Sequence, residues 1–132
     1  MHSIDEILDL LVWTRSAEEQ QKGRMLAREV ESVHVFLMPL DRKHNKNVWD
    51  NCAIILSERS DDELRPYIDR MLEWVEDLNY PGALTVLERL MRYEDKEWLL
   101  VWLCRCMKIA KALHEEMWTE NLHMLKTNLE AL

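Results

Sequence analysis

The sequence predicts an all-α fold of about six or seven helices, and three observations carry that prediction. Glycine and proline are scarce, with Gly 2 and Pro 3 in 132 residues, whereas turn-rich β folds are punctuated by both. Leu, Glu, Arg, Met, Ala and Lys dominate, and all are good helix formers. Apolar residues also recur at three- and four-residue spacing behind Ser-x-x-Glu signatures, the pattern of capped amphipathic helices.

Ser3 with Glu6 opens the first helix, whose stripe is Ile4, Ile7, Leu8, Leu11 and Val12. Ser16 with Glu19 repeats the signature, and Leu26, Val30, Val33 and Leu37 follow, flanked by Met25 and Phe36. The periodicity leaves open whether residues 14–23 divide this region. Pro39 ends it, because proline disfavours helix in the residue before it. Leu40 to Asn47 reads as a polar connection. Val48, Trp49, Cys52, Ile55 and Leu56 give a third helix ending near Arg59. Ser60 with Glu63 starts a fourth, lined by Leu64, Ile68, Met71, Leu72 and Val75, with Pro66 in its first turn. The run Asn79-Tyr80-Pro81-Gly82 is a tight break, in which Asn79 is suited to the left-handed cap and Pro81 to opening the next helix.

Leu84, Leu87, Leu90 and Met91 mark a fifth helix ending near Tyr93. From Trp98 to Leu113 apolar residues nearly surround the axis, leaving Arg105, Lys108 and Lys111 as a narrow polar strip. Such a helix is expected to be central and covered by its neighbours. Trp118, Leu122, Leu125 and Leu129 line the last helix. Short breaks between helices place neighbours antiparallel. The whole chain, 1–132, reads as one domain: a helical hairpin or long helix over 1–38, a core over 40–93 and a helical hairpin over 95–132. A short HEAT-like α-α superhelix of about three hairpins fits the count; an irregular helical bundle is the alternative.

The formal net charge of −8, from 17 Lys+Arg against 25 Asp+Glu, disfavours nucleic acid and anionic lipid as partners. It suits a basic protein partner. The three cysteines, Cys52, Cys104 and Cys106, have no disulfide-framework spacing and read as small buried hydrophobes in a reducing compartment. The first residues lack a basic region followed by an apolar run. The longest apolar run, Trp98 to Cys104, is far short of the roughly 20 residues that span a bilayer. A soluble, cytoplasmic protein is therefore expected.

Two Glu-x-x-His motifs, Glu31 to His34 and Glu120 to His123, would with two further glutamates make up the ligand set of di-iron helical bundles. That site needs every ligand turned into the core. With Trp118 at 0° and 100° per residue, Leu122, Leu125 and Leu129 fall within about 40° of it, whereas Glu120 and His123 fall near 200° and 140°. On the second helix, with Leu26 at 0°, His34 and Glu31 fall at about 80° and 140°, off the apolar arc. The two motifs therefore face away from the stripes. No phosphate-binding glycine loop, His-Glu-x-x-His or Gly-x-Ser-x-Gly motif is present, so no catalytic residues and no cofactor are assigned. A metal-binding helical bundle using Glu31, His34, Glu120 and His123 is the enzyme-like alternative to a non-catalytic module. A purely structural homodimer is the other.

Six tryptophans lie beside or within the apolar stripes and read mostly as helix-packing residues. Trp13 and Trp74 sit at stripe edges and are the candidates for interface anchors. Acidic clusters recur at helix starts: Asp5-Glu6, Glu18-Glu19, Asp61-Asp62-Glu63, Glu94 to Glu97 and Glu115-Glu116. Carboxylates favour the positive end of the helix dipole, which is a structural explanation. In a stack of hairpins, however, alternate helix starts share an edge, so these clusters could form one acidic rim.

Three stretches, Asp41-Arg42-Lys43-His44, Ser60-Asp61-Asp62-Glu63-Leu64-Arg65-Pro66 and Leu72-Glu73-Trp74-Val75-Glu76-Asp77-Leu78-Asn79-Tyr80-Pro81, lie in a region, Leu40 to about Tyr93, that resembles a small uncharacterised bacterial family of HEAT-like helical domains. Tyr80 stands where the family pattern has Trp, and Asn45 where it has Asp, as in a distant member. The resemblance implies an α-α superhelical fold and no particular reaction. Similar small helical domains serve as immunity proteins in bacterial toxin systems. The expectation is a non-catalytic protein-binding module, in its sharpest form an immunity protein masking a basic toxin surface. The candidate partner surface is Asp61, Asp62, Glu63, Trp74, Asp77, Asn79 and Tyr80. The same motif has a structural reading: Trp74 locking two hairpins, Asp77 or Asn79 satisfying backbone groups, and Pro81 setting the next helix.

Overall fold

The computed structural model describes residues 2–132, and among them every regular element is helical. Eight α-helices follow in order: α1 (Ile4–Leu10), α2 (Ala17–Ala27), α3 (Lys46–Ser57), α4 (Asp61–Leu64), α5 (Ile68–Trp74), α6 (Ala83–Met91), α7 (Lys96–Ala112) and α8 (Glu116–Glu130). Two 3₁₀ turns intervene, Val33–Phe36 and Arg65–Tyr67. Since the second joins α4 to α5 without a break, the fold counts as about seven helical units.

The Ser-x-x-Glu signatures start helices as their chemistry requires. Ser16 and Ser60 each accept from the backbone N–H of Glu19 and Glu63 at 3.1 and 3.2 Å, with the glutamate reaching back to the serine N–H. Ser3 accepts from Glu6 N–H at 3.1 Å.

Several elements depart from the sequence expectation. The second helix stops at Ala27, and Val33 to Phe36 form a separate turn. Arg59, from the end of α3, donates to the carbonyls of Ala27 and Val30 at 2.9 and 2.6 Å, satisfying the open end that a continued helix would have used. Pro66 falls after a single turn of α4 and tightens the chain into the 3₁₀ turn, since its ring and missing N–H interrupt the α ladder. The left-handed residue of the break before α6 is Gly82 (φ 84°), not Asn79. A Cβ at Gly82 would lie 2.7 Å from both Ala53 Cβ and Trp49 O, so the position demands glycine twice. On α6 the buried stripe is Ala83, Val86, Arg89 and Leu90, while Leu84 is exposed.

One apolar core runs from Ile7 in α1 to Leu129 in α8. Alternate elements pack in two layers: α3 lies against α6 and α6 against α8, while α5 lies against α7. Sequential contacts α1–α2, α5–α6 and α7–α8 join the layers, and α2 and the Val33–Phe36 turn cover α3. The helix expected to be central is not. α7 buries Leu99, Leu103, Cys106 and Ala110 and leaves Val101, Cys104, Ile109 and Leu113 exposed. It is an outer-layer helix, covered on one side by α5 and α8, so Cys104 is a surface thiol rather than a buried one.

Candidate partner-binding surfaces

The seven candidate residues fall at two places. Asp61, Asp62 and Glu63 start α4, whereas Asp77, Asn79 and Tyr80 follow α5. At 1.5 Å per residue these ends are roughly 20 Å apart along one helical segment. Trp74 belongs to neither surface, because it is completely buried. Its indole N–H donates to Pro81 O at 2.9 Å, and its ring meets Trp49 edge-on at 5.9 Å. Trp49 in turn donates to Pro39 O at 2.8 Å and meets Tyr80 edge-on at 5.6 Å. Asp77 accepts from Asn79 N–H at 2.8 Å, and Tyr80 O accepts from Ala83 N–H at 3.0 Å. The Trp-to-Pro run is therefore a turn clamped onto α3. Of the two candidate anchor tryptophans, only Trp13 is exposed, at 54 %.

At the α4 edge three carboxylates have cations, while Asp62 and Glu94 form no ion pair among the described residues. Asp61 binds Arg89, a side chain buried between α4 and α6, and also accepts from Glu94 N–H at 2.9 Å. Burial pushes the Asp61 carboxyl up, but these hydrogen bonds outweigh it and hold it below its ordinary range. Glu63 pairs with Arg59 at 2.9 Å and Asp95 with Arg65 at 3.0 Å. Asp61 is thus a fold residue, and the α4 edge is not a bare acidic rim.

The end of α5 is different. Glu76, Asp77, Glu115, Glu116 and Glu120 make no ion pair among the described residues, and Glu73 has only Arg70 at 3.7 Å. Half-buried Glu76 is pushed above the ordinary glutamate range first by burial, then by the neighbouring charges of Glu115 and Glu73. Burial also raises Glu73, with Asp69 adding to it and Arg70 opposing. Tyr80 is raised by burial and by Glu76, Asp77 and Glu115. α8 is fixed to this end by Trp118 N–H to Leu72 O at 3.0 Å and Asn121 to Val75 O at 2.9 Å. Beside it, an open depression of about 290 Å³ is lined by Lys111, His114, Glu115, Glu116, Thr119 and Glu120.

Glu31, His34, Glu120 and His123 are all exposed. Among the described residues no group of three or more His, Cys, Asp or Glu is placed to hold a metal ion. No described helix is long and apolar enough to cross a membrane.

The Asp41-to-His44 motif builds an anchor that periodicity does not reveal. Asp41 accepts from the N–H groups of Lys43 and His44 at 2.8 and 2.7 Å. His44 is wholly buried, with Nε2 2.7 Å from Asp9 on α1. An ionised carboxylate only accepts, so Nε2 carries the proton. The hydrogen bond from His44, then that from Lys43, holds Asp9 below its usual range. Asn51 does similar work in α3, donating to Leu11 O and Gln20 Oε1 at 2.8 and 2.9 Å and accepting from Arg24.

Residues 43–102 match the family model of the domain of unknown function DUF5071. The match covers under half of the chain, from the His44 anchor through α3 to α6 and into α7. It overlaps the stretch whose motifs suggested an uncharacterised family. No curated protein and no solved structure matches the chain. The motifs inside the DUF5071 region are accounted for by the loop anchor at His44, the cap at Ser60 and the Trp49–Trp74–Tyr80 clamp.

Proposed function

We propose that the chain is a non-catalytic protein-binding module, built as a short HEAT-like stack, whose acidic end at α5 and α8 receives a basic protein partner. The layered order of α3, α6 and α8 against α5 and α7 supports the stack, in which equivalent helices of successive hairpins lie side by side. The observation that carries the partner reading is the unpaired, half-buried Glu76 among Asp77, Glu115 and Glu73. A lysine or arginine brought to this surface, with the adjoining depression to take its side chain, relieves a repulsion the fold leaves standing. In its sharper form the module is a cytoplasmic bacterial immunity protein masking a basic toxin surface, in line with the net charge of −8.

The test is pull-down from the native host with quantitative mass spectrometry, comparing the wild-type chain with Glu76→Lys/Asp77→Lys/Glu115→Lys. A basic protein retained by the wild type and lost by the triple variant supports the proposal, as does an affinity falling steeply with salt. Retention of the same partner by both chains, or binding indifferent to salt, overturns it.

A further inference from the structure

The face of α7 turned away from the core has the opposite electrostatic character from the rest of the molecule. With Val101 at 0° and 100° per residue, the buried Leu99, Leu103, Cys106 and Ala110 cluster between about 140° and 200°. Ala112, Trp98, Ile109, Trp102 and Leu113 fall between about 20° and 120°, and Lys111, Cys104 and Lys108 between about 280° and 340°. The outward surface is thus an apolar ridge beside a basic flank, with Val101 between them and Arg105, at about 40°, lying within the ridge. The ridge is open to solvent: Val101 is 47 % exposed, Ile109 51 % and Leu113 61 %. Trp98 and Trp102 meet edge-on at 5.9 Å, with the guanidinium of Arg105 4.8 Å from the Trp102 ring centre. Between Glu97 and Glu115 the chain has no carboxylate. Arg105, Lys108 and Lys111 form no ion pair among the described residues, although the protein carries eight excess negative charges.

We propose that the outer face of α7 is a docking surface for an acidic amphipathic helix of another protein. Leucine-type residues of that helix would lie on Val101, Ile109 and Leu113, and its glutamates beside Lys108, Lys111 and Arg105. Charge selects this occupant. A second copy pairing α7 with α7 about a two-fold axis would set the same cations against one another, and a like-charge contact at an interface is unfavourable. Val101 to Leu113 spans about 18 Å, room for about three turns of a partner helix in the helix-in-groove mode. This surface adjoins the acidic end of α5 at Lys111, which also lines the depression there, but Val101, Arg105, Lys108 and Ile109 take no part in that site, and neither proposal depends on the other.

The experiment uses the full chain and a fluorescein-labelled 18-residue peptide with Leu on one helical stripe and Glu beside it, read by fluorescence anisotropy. The controls are a scrambled peptide of the same composition and the variants Ile109→Glu, Lys108→Glu/Lys111→Glu and Glu73→Lys/Glu76→Lys. The α7 changes are at exposed positions, and circular dichroism checks that each variant is folded. The expected result is binding weakened at least tenfold by either α7 change and by scrambling, and not weakened by Glu73→Lys/Glu76→Lys. A second readout needs no mutation. Cys104 lies on the basic flank and is exposed, whereas Cys52 and Cys106 are buried, and burial pushes the Cys106 thiol up to about 11. Saturating peptide should therefore slow alkylation at Cys104. The proposal is overturned by absent binding, by equal binding of the scrambled peptide, by α7 variants that bind normally, or by light scattering that shows a dimer dispersed by Ile109→Glu.

Discussion

Trp74 separates the two readings of the Trp-to-Pro motif, so Trp74→Phe is the perturbation to make. The substitution keeps one aromatic ring and removes the indole N–H that Pro81 O accepts at 2.9 Å. A carbonyl left without a partner costs about 1–3 kcal/mol. The smaller ring opens a void beside Gly82, whose missing Cβ would lie only 3.1 Å from the indole. At roughly 24 cal/mol per Å³ that void adds about 1 kcal/mol. The expected loss is about 2–4 kcal/mol, a large part of the ~5–15 kcal/mol available to such a domain. It should lower Tm by roughly 5–15 °C. Guanidinium unfolding is the assay, with the midpoint falling and the m-value unchanged. A cycle with Trp49→Phe should give a coupling of about 0.5–1.5 kcal/mol, since the two rings meet edge-on. Below its transition the variant should bind a partner as the wild type does. An unshifted midpoint with binding lost would place the indole on a binding surface and refute the reasoning.

Gly82→Ala should destabilise by about 2–5 kcal/mol, from the positive φ and from overpacking against Ala53 and Trp49 O; a thermal scan within 2 °C (roughly) of wild type would contradict this. Asn51→Ala strips Leu11 O and Arg24 of their buried partner and should cost about 2–4 kcal/mol. Native-state hydrogen exchange should show the loss first in α1 and α2, and uniform loss across all helices would argue against a local tie. Stability should also pass through a maximum on the acid side of neutrality. Glu73 and Glu76 lie above their ordinary 4.5 in the fold, so the stability linked to them is complete below 4.5 and declines as pH rises through their folded values. Asp9, Asp41 and Asp95 lie below 3.8, so theirs is complete above 3.8 and lost as pH falls further. Calorimetry should find Tm rising as pH falls from neutrality towards 4.5 and dropping once it falls below 3.8, with the rise reduced in Glu76→Gln; a Tm that only falls on acidification would count against it.

The stripes of α3, α5 and α8 were legible because an amphipathic helix has to put its apolar residues on one side, and Val48, Cys52 and Ile55, Ile68 and Leu72, and Leu122 and Leu125 are all buried. The ties between elements were not legible. Arg59 ends α2 from thirty residues away, Arg89 sits inside the stripe of α6, and Asn51 and His44 hold α1 from within or before α3. Periodicity scores each as a polar residue, because their partners are distant in sequence and meet only once the helices have packed. The placement of α7 failed for the converse reason. An apolar circumference records what a helix is able to bury, and α7 lacks neighbours on its outer side.

The helix dipole gives the final reason for seeking function at the end of α5 and not at the start of α4. Asp61, Asp62 and Glu63 begin a helix, where the positive end of the dipole and unpaired N–H groups favour carboxylates. Their presence needs no partner, and Arg59 and Arg89 complete the account. Glu73, Glu76 and Asp77 lie in and just beyond the last turn of α5 (Ile68–Trp74), where the dipole is negative and the last carbonyls favour cations. Burial opposes the charge of Glu73 and Glu76 as well. Dipole, desolvation and mutual repulsion therefore act in the same unfavourable direction on Glu76, and the fold supplies no cation to offset them. A lysine or arginine arriving from a partner would reverse the sign of that local energy. This makes the α5 end the place where charge reversal should abolish binding without lowering stability, whereas reversing Asp61 should lower stability first.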